Sequence, residues 1–292
     1  MSELPDILVS TDWLEANLDA PDLRVFDCTV YLDPWPDNAG QTPRSGIDDW
    51  RAGHIPGSGF LDLISDFAAP SPQLNFLVPD PYQFADAAEL RGIGDGTRVV
   101  LYDRALNRWA ARMWCMLRAF GLDSAAVLDG GWVKWTREGR PWSLEPCRYP
   151  RARFVPRPRR GMLVDQSQVR AAMADAGVHL VNALTVEQHF GREGVHYGRR
   201  GHIPGSVNVS ARDLVDPQTH AYWPRSELRR RFAEAGVLDG RNVITYCGSG
   251  IAASSDALIL TALGLTDVAV YTNSLQEWAA DPECPMSCDQ AT

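Results

Sequence analysis

The sequence predicts a duplicated α/β protein of two domains, each a parallel β-sheet flanked by helices, and three observations carry that prediction. The first is a long-period repeat. His54-Ile55-Pro56-Gly57-Ser58 recurs as His202-Ile203-Pro204-Gly205-Ser206, 148 positions later. Val99-Val100-Leu101-Tyr102-Asp103 is answered by Val243-Ile244-Thr245-Tyr246-Cys247 at an offset of 144, and Gly130-Gly131-Trp132-Val133-Lys134-Trp135 by Asn273-Ser274-Leu275-Gln276-Glu277-Trp278 at 143. Solenoid repeats run about 20–50 residues, so a period this long marks whole domains. The second observation is size: 292 residues exceed the roughly 100–200 that one domain usually holds. The third is the alternation, within each half, of short β-rich runs with helical stretches, the pattern of parallel sheets covered on both faces.

Taken in order, Leu23–Asp27, Val99–Tyr102 and Ala125–Leu128 read as buried strands of the first half. Between them, Trp109, Met113, Trp114, Leu117 and Phe120 fall at helical spacing and predict a helix over Arg108–Phe120. Gly92 to Gly96 precedes a strand, not a helix, and reads as a turn instead of a dinucleotide-binding loop. In the second half Leu180–Val181, Val243–Tyr246 and Val268–Tyr271 are the strands and Ala252–Leu263 the central helix. The division expected is a first domain over residues 1–145, a linker over 146–160 and a second domain over 161–292. In and around the linker Arg148, Arg151, Arg153, Arg157, Arg159 and Arg160 interleave with Pro146, Pro150, Pro156 and Pro158, which reads as a solvated connection with arginine stems lying along the domain surfaces.

Composition narrows the function classes. Hydrophobic residues at 45% and charged residues at 22% suffice for packed cores in a globular chain. A net charge of −9 and a pI near 5.1 exclude nucleic acid as the expected partner, because phosphate backbones are bound by basic surfaces. No apolar run approaches the roughly 20 residues of a membrane span. The stretch from Met1 to Leu18 is acidic and polar, unlike a signal peptide, so a cytoplasmic location is expected. The six cysteines, at 28, 115, 147, 247, 284 and 288, form no disulfide framework. Cys284 and Cys288 lack a second pair at ligand spacing, and neither a metal nor a cofactor is expected.

The chemistry is expected where a buried strand ends, since ligands of such sheets bind beyond the carboxyl ends of the strands. There Cys247 opens the loop Cys247-Gly248-Ser249-Gly250 and the helix start Ile251-Ala252-Ala253-Ser254. Glycines let successive N–H groups turn inward, and the helix adds its unpaired amides and positive dipole end. Amides focused on a thiol favour its thiolate and any further anionic sulfur attached to it. A structural core cysteine has no use for such a flank.

These marks, with Leu128-Asp129-Gly130-Gly131-Trp132 and the opening Val9-Ser10-Thr11-Asp12-Trp13-Leu14, resemble the tandem-domain rhodanese and 3-mercaptopyruvate sulfurtransferase family over nearly the whole chain. The resemblance implies two rhodanese-like domains, the second catalytic and the first a degenerate copy with Asp103 in place of a cysteine. It implies sulfur transfer from a small anionic donor, 3-mercaptopyruvate or thiosulfate, through a persulfide on Cys247 to a thiol or cyanide acceptor, without cofactor. The donor would be held by Gly248, Ser249, Gly250, Ile251, Ala252 and Ala253, with Asp62 contributed from the first domain; Trp35, in the loop after the first strand, is expected at the pocket mouth.

The departures are specific. Ala252 stands for the family's threonine, Phe76 for its histidine, and Leu184 and Gln188 near positions of its arginines, leaving Arg192, Arg199 and Arg200 as second-domain candidates to grip a donor. His54 and His202 recur in both halves, including the one without a cysteine, and are expected to fix a turn. A cysteine phosphatase would need an arginine where this loop has Ala252, Ala253 and Ser254. The alternative is a non-catalytic sulfur-binding or sensing protein with the same fold.

Overall fold

The computed structural model describes residues 3–288. The first half runs β1 (Leu8–Val9), α1 (Thr11–Asn17), β2 (Leu23–Asp27), β3 (Val30–Pro34), β4 (Gln41–Ser45), α2 (Ile47–Ala52), β5 (Gly59–Phe60), α3 (Pro81–Leu90), β6 (Arg98–Tyr102), α4 (Arg108–Ala119), β7 (Ala125–Leu128) and α5 (Gly131–Arg137). The second runs β8 (Leu163–Val164), α6 (Gln166–Ala172), β9 (Val178–Asn182), α7 (Val186–His189), β10 (Val207–Asn208), a 3-10 turn (Ala211–Leu214), α8 (Arg225–Glu234), β11 (Asn242–Tyr246), α9 (Ile251–Ala262), β12 (Val268–Tyr271) and α10 (Ser274–Trp278).

The strands of the first sheet lie in the order β1-β7-β6-β2-β5 and those of the second in the matching order β8-β12-β11-β9-β10, every pair parallel. The central strands are largely apolar because helices cover both faces: every residue of β6 and β7 is buried, including Arg98, which pairs with Asp22. Register aligns the carboxyl ends, with Tyr102 level with Asp27 and Tyr246 level with Asn182. Asp103 and Cys247 therefore leave their sheets at equivalent points.

Helices α4 and α9, the equivalent helices of the two halves, pack on each other. One apolar cluster extends from Phe26, Trp109 and Trp114 through Cys247, Leu258 and Leu260. The halves therefore share a core, and whatever projects from the α9 end of α4 faces the Cys247 loop. Trp109, Trp114, Trp135 and Trp278 are all fully buried in core positions.

Both histidines of the repeated turn act structurally. His54 bonds the Trp50 and Glu145 carbonyls through its two ring nitrogens at 2.8 and 2.9 Å, and His202 Nδ1 bonds the His189 carbonyl at 2.7 Å. In the arginine-rich connection Arg148, Arg151, Arg153, Arg157 and Arg160 are exposed as expected, while its backbone is tied to the first half. Arg157 and Arg159 N–H groups donate to the Phe120 and Ala119 carbonyls, Phe154 is buried, and the Arg159 side chain pairs with Asp123. It is a strap laid on the first half. An antiparallel ribbon, β3 with β4, also rises from the first half, and its tip accepts the His196 N–H on the Asn38 carbonyl at 2.8 Å.

On α9, Asp256 is fully buried, and neither carboxylate oxygen has a hydrogen-bond partner among the described residues. Burial pushes its carboxyl well above the usual range, so the folded protein keeps it protonated while the unfolded chain ionises it. Stability from this group is present below the ordinary carboxylate value and is lost as the pH rises above it. Asp256→Ala is expected to raise stability by about 1–3 kcal/mol at pH 8. In denaturant titrations the gain should shrink as the pH approaches 4.

Candidate active site

The Cys247 loop is pinned at both ends before any chemistry is considered. Cys247 N donates to Ser274 Oγ at 3.0 Å, and Ser274 Oγ donates to the Tyr271 carbonyl at 2.6 Å. The Cys247 and Gly248 carbonyls accept the N–H groups of Leu275 and Gln276 at 3.1 and 2.9 Å. Ser254 Oγ donates to the Gly250 carbonyl at 2.7 Å. With the curl so fixed, Gly250 N–H points back onto Cys247 Sγ at 3.1 Å. Gly250 has φ +79° and lies where a Cβ would strike the Thr272 carbonyl, so only glycine serves there.

The first half carries the same cradle, filled. Asp103 Oδ1 accepts from Ala105 N at 2.6 Å and Asn107 N at 3.0 Å, and Oδ2 accepts from Trp109 N at 2.8 Å and Ala110 N at 3.0 Å. Asn107 and Gly250 are both left-handed residues immediately preceding their helices, 143 positions apart. The Asn107 N–H on Oδ1 thus has its counterpart in the Gly250 N–H on Sγ. By the same offset Trp109 and Ala110 correspond to Ala252 and Ala253, first-turn amides that have no partner within their helix. The second cradle therefore offers a place for one more anionic atom beyond Sγ, in the position of Asp103 Oδ2. Substituting alanine for threonine at 252 removes a hydroxyl but leaves this amide.

Cys247 is 2% exposed, yet its surroundings are not purely apolar. Arg112 of α4 is 1% exposed; its Nη2 donates to the Phe76 carbonyl at 2.9 Å, while Nη1 has no partner among the described residues and lies 3.0 Å from where a Gly250 Cβ would sit. Burial lowers Arg112 to about 10, opposed by the Cys115 and Cys247 thiols, so it remains cationic at neutral pH. Arg108, one turn earlier, is lowered by burial and held up by the charges of Asp103 and Cys247. The end of the Tyr197 ring lies against Gly248, where any side chain would collide with it, and the Tyr197 hydroxyl donates to Gln41 Oε1 at 3.4 Å. Burial, with the Cys247 charge second, pushes the Tyr197 hydroxyl up and keeps it neutral. Tyr197 is the cover of the cradle, fastened to the ribbon of the other half.

The remaining expected residues divide. Ser249, Ile251, Ala252 and Ala253 line the buried cradle with Gly248 and Gly250. Asp62 accepts from Ile64 N at 2.9 Å and Ser65 N at 3.2 Å on one carboxylate oxygen and from Ser45 Oγ at 2.9 Å on the other. Trp35 stands at the ribbon tip, 48% exposed, its ring over Gly40 and its indole N–H on Thr42. Arg199 donates to the Ala279, Trp278 and Asp281 carbonyls and so clamps the end of α10; Arg192 lies exposed on the Phe190 ring, and Arg200 is exposed. By these contacts the Arg192 and Arg199 guanidinium groups are held away from the cradle. Arg108, Arg112, Tyr197 and Ser274 were not foreseen. A signal for the arginines was present: Arg112 interrupts an otherwise apolar helical run, and α4 is the repeat partner of the helix that follows Cys247.

Known proteins resemble this chain over nearly its whole length. A profile of the rhodanese-like domain matches residues 10–138 and again 165–281. The 3-mercaptopyruvate sulfurtransferase of Escherichia coli strain K12 is 29% identical over 285 residues, covering 95% of this chain and 96% of its own. The thiosulfate sulfurtransferase of Rattus norvegicus is 31% identical over 294 residues, covering 96% and 95%. The crystal structure of SseA from Escherichia coli, a 3-mercaptopyruvate sulfotransferase of rhodanese fold, superposes with a TM-score of 0.81 at 28% identity, over 92% of this chain and 98% of that one.

If Tyr197 covers the thiol, Tyr197→Ala should accelerate alkylation of Cys247 by iodoacetamide by about tenfold or more, the effect of shifting a local opening equilibrium by 1.4 kcal/mol. Peptide mass spectrometry resolves Cys247 from the exposed Cys288. An unchanged rate would remove Tyr197 from this role.

Proposed function

The chain belongs to the rhodanese-like family, and we propose that it is a two-domain sulfurtransferase that carries sulfane sulfur on Cys247. The observation that supports this reading most is the pair of matched cradles, one filled by the Asp103 carboxylate with four N–H bonds and one holding the Cys247 sulfur on the Gly250 N–H. A pocket that binds a two-atom anion in one half suits a two-sulfur anion in the other.

In the first step the Cys247 thiolate attacks the terminal sulfur of a small anionic donor. With thiosulfate, the new Cys247 S–S bond forms as the donor S–S bond breaks, and sulfite leaves with the electron pair. With 3-mercaptopyruvate the C–S bond breaks, and the enolate of pyruvate departs and takes up a proton. The outer persulfide sulfur then lies on the Ala252 and Ala253 amides, which stabilise its charge without reorganising. In the second step a thiol or cyanide attacks that outer sulfur, the Cys247–sulfur bond breaks, and the thiolate returns with its electrons. Cyanide leaves as thiocyanate. None of these steps draws on a metal or an organic cofactor. A reducing, cytoplasmic setting suits a nucleophilic thiol among six free cysteines.

After incubation with thiosulfate or 3-mercaptopyruvate, mass spectrometry should find one added sulfur atom on the Cys247 peptide. Turnover to an acceptor should fall by at least about a thousandfold in Cys247→Ser. A persulfide without turnover would favour the sulfur-binding or sensing alternative, and no added sulfur with any sulfane donor would defeat both readings.

A further inference from the structure

An anionic donor needs a cation at the cradle, and the second half does not supply one from its own loop. Leu184 is apolar, Gln188 is occupied in capping Thr185 and bonding the Val195 carbonyl at 2.9 Å, and Arg199 is bound to three carbonyls. The opposite half presents two. Arg108 and Arg112 stand four residues apart on α4, hence on one face, and α4 lies against the helix that starts at the Cys247 loop.

Neither guanidinium forms an ion pair among the described residues. Arg112 uses Nη2 on the Phe76 carbonyl and leaves Nη1 buried, unpartnered and directed at Gly250. Arg108 uses Nε on the Ala105 carbonyl at 3.2 Å and is half-buried, close enough to Asp103 of its own half and to Cys247, Arg212 and Tyr197 of the other to feel their charges. Asp103, whose charge it feels, already accepts four amide hydrogens. Arg212, exposed on the 3-10 turn of the second half, is near enough to repel Arg108 and extends the positive charge outward. A buried arginine left unneutralised costs stability unless an anion completes it.

We infer that Arg108, on the domain that lacks the cysteine, binds the acidic group of the sulfur donor, with Arg112 beneath it attracting the donor's charge toward the Gly250 loop. The inference rests on the sulfur-transfer reading and adds to it the residue that holds the donor's carboxylate or sulfonate-like group. The planar guanidinium fork matches either group in a two-point contact, which lysine does not reproduce.

The test uses the full chain and two probes of nearly equal size, iodoacetate and iodoacetamide, with alkylation of Cys247 followed by peptide mass spectrometry. The ratio of the two rates reports the local cation directly and requires no turnover. Arg108→Met is expected to lower the iodoacetate-to-iodoacetamide ratio about tenfold, equivalent to 1.4 kcal/mol, and to raise KM for the anionic donor by a similar factor while kcat changes little. Arg108→Lys should retain part of the charge preference but recover little of the KM. Arg192→Met, at an exposed site, should leave the ratio unchanged. A ratio and a KM that stay at wild-type values in Arg108→Met would overturn the inference even if Cys247 transfers sulfur normally. A lowered ratio in a protein that never forms the persulfide would uphold the anion site and reject the transfer reading instead.

Discussion

The rest of the structure depends on one interaction: an anion at the end of a central strand, held by the unpaired amides of the helix that follows. Each half builds it from the same parts, a buried strand, a left-handed residue before the helix and a first turn of free N–H groups. In the first half the anion is covalent and permanent, because the Asp103 carboxylate reaches four amides by itself. In the second half a thiol reaches one, and the remaining donors await a second atom. Duplication has thus left one cradle that stabilises the fold and one that can do work; they differ in the side chain at the strand end and in one extra loop residue in the first half.

The filled cradle also has a positioning role. By satisfying the start of α4, Asp103 holds that helix in place against α9, and α4 in turn carries Arg108 and Arg112 to the mouth of the other cradle. The half without the nucleophile therefore supplies the charge, while the half with the nucleophile supplies the amides. The ribbon of β3 and β4 adds the fastening for Tyr197, so the thiol is enclosed by groups from both halves. A shared apolar core between α4 and α9 gives this arrangement the rigidity that a site assembled across two domains needs.

Much of the fold was legible because it is written twice. The central strands hold short apolar runs, such as Val99–Tyr102 and Ala125–Leu128, and the repeat offsets of 148, 144 and 143 place the two halves in correspondence. Edge strands of two residues, such as Leu8–Val9 and Gly59–Phe60, carry no periodicity to read. The ribbon gives no strand signal in the sequence because Gln41-Thr42-Pro43-Arg44-Ser45 is polar and contains a proline, against ordinary strand composition. In the site, the cysteine loop was readable as a contiguous motif. Arg108, Arg112 and Tyr197 were not, since their relation to Cys247 exists only across the interface. Of the second-half arginines near His202 in sequence, Arg199 binds the carbonyls that end α10.

The central claim is that the Ala252 and Ala253 amides hold the outer sulfur of a Cys247 persulfide as Trp109 and Ala110 hold Asp103. A crystal structure of the protein after donor treatment tests it most directly. The account requires the added sulfur to lie within hydrogen-bonding distance of both amides, at the place equivalent to Asp103 Oδ2. A terminal sulfur turned away from the loop, toward the Tyr197 side and bonded by neither amide, would contradict it.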